Sequence, residues 1–214
     1  MSEKAYEVVH LDELDRFPVD DEGLLWRPVR RRLGITAFGT NAYTAEQGTE
    51  RVVEEHHEQD GHEELYFVAS GRATFVLGDD EIDAPAGTFI YAEPGTKRGA
   101  VATEPNTTVL AIGGKPGEAF TPSAWEHYFA ADAVAKGGDL DGAYDLLMAG
   151  LAEHPGNASI LYNAACYRAL AGRGNEAIEL LSQAFAGDPE AVRNWAGADS
   201  DLDSIRDRPD WPLR

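Results

Sequence analysis

Cysteine is nearly missing from this chain. Cys166 is alone among 214 residues, so no internal disulfide can form, and a reducing, cytoplasmic setting is expected. Positive charge is also scarce: 18 Lys and Arg face 38 Asp and Glu, a formal net charge of −20. Such a balance argues against nucleic acid and anionic membranes as partners, since phosphate binding needs a positive footprint. No apolar run approaches the ~20 residues of a membrane helix. The N-terminal stretch MSEKAYEVVHLDELD has no basic start followed by an apolar core, so no secretion signal is expected. The nucleophile elbow G-x-S-x-G, the phosphate loop G-x-x-x-x-G-K-[ST] and the dinucleotide turn G-x-G-x-x-G do not occur, which argues against three large enzyme classes. What is present is 43% hydrophobic residues, enough for a packed core, in a length that suits one large domain or two small ones.

The pattern changes partway along. Up to about residue 115 short β-like runs alternate with Gly, Pro, Asn and Asp: YEVVHL, RLGITAFGTNAYTA, ERVVEEH, EELYFVASG, ATFVLG, DEIDAPAGTFIYA, RGAVAT and TTVLAIGG. Many short, closely spaced strands predict a sandwich or barrel. LGDDEI reads as a tight hairpin turning at Gly78 and Asp79. The basic cluster Arg27, Arg30, Arg31 and Arg32 reads as a strand whose arginines pair with surplus carboxylates. From Trp125 onward Ala and Leu recur at helical spacing. The expected organisation is a β-domain over 1–115, a linker over 116–122 and a helical domain over 123–214, an α+β chain in two parts.

The helical part repeats itself with a shift of 34 residues. Tyr128 matches Tyr162, and Ala130 and Ala131 match Ala164 and Ala165. Gly138 matches Gly172, Ala143 matches Ala177, Leu146 and Leu147 match Leu180 and Leu181, and Pro155 matches Pro189. Small residues at matching places let paired helices approach, and proline ends the second helix of each pair. The segments AADAVAKGGDLDGAYDLLMAGLAEHP and NAACYRALAGRGNEAIELLSQAFAGDP resemble the tetratricopeptide repeat family over about residues 122–211, with ADSDLDSIRDRPDW as a shortened cap. The resemblance implies an all-α domain of helical hairpins that binds a protein or peptide partner. Asp139, Asp141, Asp145, Glu176 and Glu179 would favour a basic one. Two repeats and a cap are few for stability, so the helices are expected to lean on the β-domain or on a second chain. Cys166, in an apolar helical setting, is expected to be buried and inert.

The segment VVEEHHEQDGHEELYFVASG (52–71) concentrates histidine and carboxylate ahead of an alternating strand. Glu64, Tyr66 and Val68 share one face, Leu65, Phe67 and Ala69 the other. Both are largely apolar, so burial on both sides is expected. A carboxylate at the mouth of such a strand must be paired, hydrogen-bonded or metal-bound. His62 has the parity of Glu64, while His56 and His57 end the preceding run and EQDG allows a turn back. Imidazoles with one carboxylate suit iron, manganese, nickel, zinc or copper. Parity alone leaves open which of His56 and His57 points inward.

Glu64 followed by six residues and Gly71 matches the end of the first motif of the cupin superfamily, G-x5-H-x-H-x3–4-E-x6-G. His57 falls at its first histidine and Gln59 at the second. In GTFIYAEPGTKRGAVA, Gly87 and Gly95 match the second motif, Glu93 occupies the proline place and Arg98 the place of its metal histidine. The chain thus resembles the cupins over about residues 30–115. The resemblance implies a double-stranded β-helix, or jelly-roll barrel, binding a small molecule and pairing as a homodimer. It leaves three readings. A divalent iron, manganese, nickel or zinc ion is held by His56 or His57 with His62 and Glu64. Or Arg98 pairs with Glu64 in a metal-free pocket for an anionic ligand, with Tyr66 donating a hydrogen bond. Or the histidines are solvated and the barrel is only a platform. If the protein is an enzyme, the resemblance suggests a dioxygenase, isomerase or lyase. The alternative is a ligand sensor or adaptor without catalysis.

Overall fold

The computed structural model describes residues 7–19, 23–57 and 61–213. They divide into two compact units, the first ending at Thr121 and the second beginning at Pro122.

The first unit is a two-sheet antiparallel sandwich. One sheet joins β1 (Phe17–Pro18), β2 (Leu24–Arg27), β3 (Gly39–Ala45), β10 (Thr107–Gly114), β5 (Glu63–Ser70) and β8 (Phe89–Ala92), in that spatial order. The other joins β4 (Arg51–His57), β9 (Lys97–Ala102), β6 (Arg72–Leu77) and β7 (Asp80–Pro85). Between them lies a core that includes Val52, Tyr66, Val68, Phe75, Ile90, Ala100 and Val109. The rings of Tyr66 and Phe75, one from each sheet, meet at 5.6 Å between centroids. Leu77 pairs with Asp80 across a two-residue turn, with Gly78 at φ +61°, as LGDDEI predicts. Gly71, between β5 and β6, takes φ +70°, and a Cβ there would stand 2.3 Å from the Thr107 hydroxyl. That hydroxyl accepts from the Arg72 amide, so this turn has room only for glycine.

Two expectations are corrected. Of the arginine cluster only Arg27 lies on a strand, at the end of β2, whereas Arg30, Arg31 and Arg32 sit in a short helix, α1 (Val29–Leu33). Pro28 precedes it, and Gly34 closes it in the left-handed conformation. Arg32 pairs with Glu7, and the Arg30 guanidinium lies 5.6 Å from the Phe120 ring centroid. Nor is β5 buried on both faces. Leu65 and Phe67 are half-buried, and Phe67 stacks on Phe89, which is 66% exposed. A sandwich buries only the inner face of each sheet, and the outer apolar side chains remain at the surface.

The second unit is all helical: α2 (Ala124–Lys136), α3 (Leu140–Glu153), α4 (Ala158–Leu170), α5 (Gly174–Gly187), α6 (Pro189–Ala196) and α7 (Asp203–Arg206). Consecutive helices from α2 to α5 pack on one another. Residues 34 apart behave alike. Ala131 and Ala165, Ala143 and Ala177, and Leu147 and Leu181 are all buried in one core. Gly138 and Gly172 both take positive φ after α2 and α4. Asp139 and Asn157 cap α3 and α4 by accepting from backbone amides of the first turn. Cys166 is buried among these helices, and burial first, then Asp199, pushes its thiol far above the ordinary range. Among the described residues no helix is long and apolar enough to cross a membrane.

Candidate ligand-binding site

The alternation of β5 turns Glu64, Tyr66 and Val68 into the sandwich, with Tyr66 and Val68 2% and 0% exposed. Facing them from the other sheet, β9 sends Arg98, Ala100 and Ala102 inward by the same two-residue period. Arg98 is fully buried, which is costly for a cation unless it is paired and hydrogen-bonded. One nitrogen, Nη2, donates to the Glu93 carbonyl at 2.7 Å. Nη1 stands 3.5 Å from Glu64 Oε2, a long ion pair. Nε and Nη1 have no hydrogen-bond acceptor among the described residues.

Three groups converge on Glu64 Oε2. The Tyr66 hydroxyl donates to it at 2.6 Å, His56 Nε2 lies 3.6 Å away, and the third is Arg98. Burial works against the Glu64 carboxylate, but the nearby His56 ring, the Tyr66 hydrogen bond and the Arg98 charge outweigh it and hold Glu64 below its ordinary pKa. Burial, then the Glu64 charge, pushes the Tyr66 phenol far up. His56 Nδ1 is 2.8 Å from the Glu54 carbonyl, so that nitrogen carries a proton. A neutral ring would then aim the bare Nε2 lone pair at a carboxylate. The Glu64 interaction therefore raises the His56 pKa despite burial and the nearby Arg98 charge, with the Glu54 carbonyl helping.

The predicted site residues do not all assemble. His56, Glu64, Tyr66 and Arg98 come together. His57 pairs with Lys97 across the ladder and is exposed, and His62 lies against Phe120, ring centroids 6.1 Å apart. Gln59, and most of the turn EQDG, lie outside the described residues. The ambiguity between His56 and His57 is decided by irregularities in β4, whose register against β9 shifts between Arg51 and Val53 and again between Val53 and His56. Such shifts reset the parity that sequence counting relies on. The backbone carbonyl of Glu93, a partner of Arg98, carries no side-chain signal in the sequence.

A metal of the kind the cupin resemblance implies would need Glu64 and His56 together with a third donor. Among the described residues no further His, Cys, Asp or Glu joins these two in a potential metal-binding group. The Arg98 guanidinium stands beside Glu64 instead, and as a permanent cation with no lone pair it cannot be a ligand. Among the described residues, those gathered here do not fit a metal. They fit an anion. Glu64 and Arg98 cancel, and a protonated His56 leaves one positive charge in a chain whose net charge is −20.

Residues 43–112 match the family model described as the cupin domain (Cupin_2), while no curated protein matches the chain in sequence. Solved structures similar to it include KdgF from Halomonas sp., at 22% identity and TM-score 0.41 over 48% of this chain and 88% of that one. Another is a sugar phosphate isomerase from a cupin superfamily of Silicibacter pomeroyi, at 20% and 0.44 over 54% and 77%. A third is a Cupin 2 conserved barrel domain protein from Salinispora arenicola, at 19% and 0.44 over 53% and 92%. The family match and the antiparallel sandwich agree: a cupin domain occupies residues 43–112 of this chain.

Proposed function

We propose that the cupin unit binds a small anionic molecule, of the carboxylate or sugar-acid class, with Arg98 as its anchor and no metal at that place. The carrying observation is the fully buried Arg98, two of whose nitrogens lack an acceptor among the described residues. A ligand oxygen supplies what they miss, and a charge-assisted hydrogen bond of this kind is among the stronger ones available. Glu64, held by Tyr66 and His56, keeps the guanidinium in place and sets how much positive charge the site offers. The helical unit, similar to tetratricopeptide repeats, serves assembly or contact with a protein partner. The exposed aromatics Phe89 and Tyr91 support pairing of two chains through the outer sheet face, which sedimentation of a Phe89→Glu variant tests. The lone buried Cys166 fits a reducing, cytoplasmic setting.

The test is thermal unfolding of tag-free protein against mono- and dicarboxylates and sugar acids. At least one of these raises the wild-type midpoint in proportion to the logarithm of its concentration, and the rise vanishes in Arg98→Met. If none shifts the wild type, or the shift survives in Arg98→Met, the reading fails.

A further inference from the structure

Outside the cupin unit, the first helical hairpin brings together three side chains that no expectation from sequence joined. His127 projects from α2, Glu153 is the last residue of α3, and His154 caps that helix. One donor atom from each lies within 4.8 Å of the other two. His127 Nε2 and Glu153 Oε2 are already 3.4 Å apart, about the spacing of two ligands on a tetrahedral zinc with bonds near 2.0–2.1 Å.

The surroundings also orient these groups. His154 Nε2 is 2.6 Å from the Pro122 carbonyl, so that nitrogen donates and Nδ1 is left with its lone pair. Metal-binding histidines are commonly fixed in this way, by a hydrogen bond from the other ring nitrogen. His127 is 6% exposed and lies against Gly150, where a Cβ would come within 2.6 Å of the ring. The glycine thus lets the imidazole pass close to α3 and fixes its position. Glu153 is 43% exposed in its side chain, which gives an ion an entry path. The negative end of the α3 dipole adds to the attraction for a cation.

From this arrangement we infer that His127, Glu153 and His154 form a zinc site in the helical unit. Two imidazoles and a carboxylate suit zinc, whereas calcium and magnesium prefer oxygen alone. With three protein ligands the fourth position would hold water. Bound there, the ion ties the start of α2 to the end of α3 and stiffens the hairpin.

The experiment is titration of tag-free, full-length protein with zinc in competition with a chromophoric chelator. Cobalt(II) serves as a spectroscopic substitute whose visible bands report four-coordination. Glu153→Gln and His154→Gln are compared with wild type and with Glu64→Gln. His127 is left intact because its packing against Gly150 makes its replacement hard to interpret. Wild type and Glu64→Gln bind one equivalent and show the cobalt bands, and zinc raises their unfolding midpoint. Affinity falls by about tenfold or more in each of the other two variants, while their midpoints without metal stay near that of the wild type. Absence of zinc binding, or equal binding by Glu153→Gln and His154→Gln, overturns the inference. The outcome is independent of the anion pocket, since Glu64 and Arg98 take no part in it.

Discussion

Arg98 in the first unit and Arg168 in the second are both buried, and they are treated differently. Arg168 in α4 sits 3.4 Å above the Tyr144 ring, with Asp141 at 2.6 Å from Nη1 and Glu176 at 3.1 Å from Nε. The Glu176 contact is not aligned as a hydrogen bond, but both carboxylates are half open to water, and the guanidinium has charge partners on two sides. Among the described residues, Arg98 in β9 has one carbonyl, one carboxylate at 3.5 Å, and two nitrogens without an acceptor. Arg168 has one such nitrogen and a close carboxylate beside it, whereas Arg98 has two, and leaving a buried cation incompletely bonded is costly. The helical arginine completes a packing arrangement. The sandwich arginine is left with fewer partners, which is the basis for proposing it as a ligand anchor.

The largest expected effect separates the two directly. Arg98→Met abolishes carboxylate-induced stabilisation and leaves Glu64 without its buried counter-charge, lowering unfolding free energy in urea by roughly 3 kcal/mol. Arg98→Met combined with Glu64→Gln removes both charges at once. It recovers most of that loss while remaining blind to anions, because an ion pair taken out whole costs little. Arg168→Met loses a cation–π contact and two partly solvated ion pairs. About 1–2 kcal/mol is expected in the same assay, with anion response intact. If Arg168→Met were to weaken anion response as much as Arg98→Met, the contrast between the two would collapse.

Tyr66→Phe is a finer probe. It removes the 2.6 Å hydrogen bond to Glu64, costs about 1–2 kcal/mol, and moves the Glu64 pKa upward. The smallest effect is in the pH profile. Glu64 is depressed and His56 raised in the folded state. The Glu64 contribution is present above the ordinary carboxylate pKa and lost as pH falls through the lower folded value. The His56 contribution is complete below an ordinary imidazole pKa of about 6.5 and lost as pH rises through the higher folded value. Stability and anion affinity should therefore both decline as pH rises above about 6.5, and His56→Gln should flatten that decline in a pH series of unfolding midpoints.

Much of this was legible in the chain itself. Two-residue alternation turned Glu64 and Tyr66 to the same side, and the Glu64–Gly71 spacing pointed to a cupin turn in which a Cβ would collide with Thr107. Arg98 announced itself as a cation where the motif has a ligand. What escaped were features that depend on irregularity or on distant pairing. The register shifts in β4 chose His56 over His57. Pro28 and Gly34 made a helix of an arginine-rich run that otherwise reads as strand. Of the five acidic residues expected to attract a basic partner, Asp139 is spent on a helix cap and Asp141 and Glu176 on Arg168. His127 and His154 meet because a hairpin folds between them, and their positions near the start of α2 and the end of α3 were the one available hint.

The most direct measurement of the central claim is the Arg98 Nε–H resonance in a nitrogen-15 spectrum, assigned by its loss in Arg98→Met. A proton without an acceptor that gains one on titration with a stabilising carboxylate should move downfield and saturate with the same midpoint as the thermal shift. A resonance that stays fixed while the ligand stabilises the protein would contradict Arg98 as the anchor.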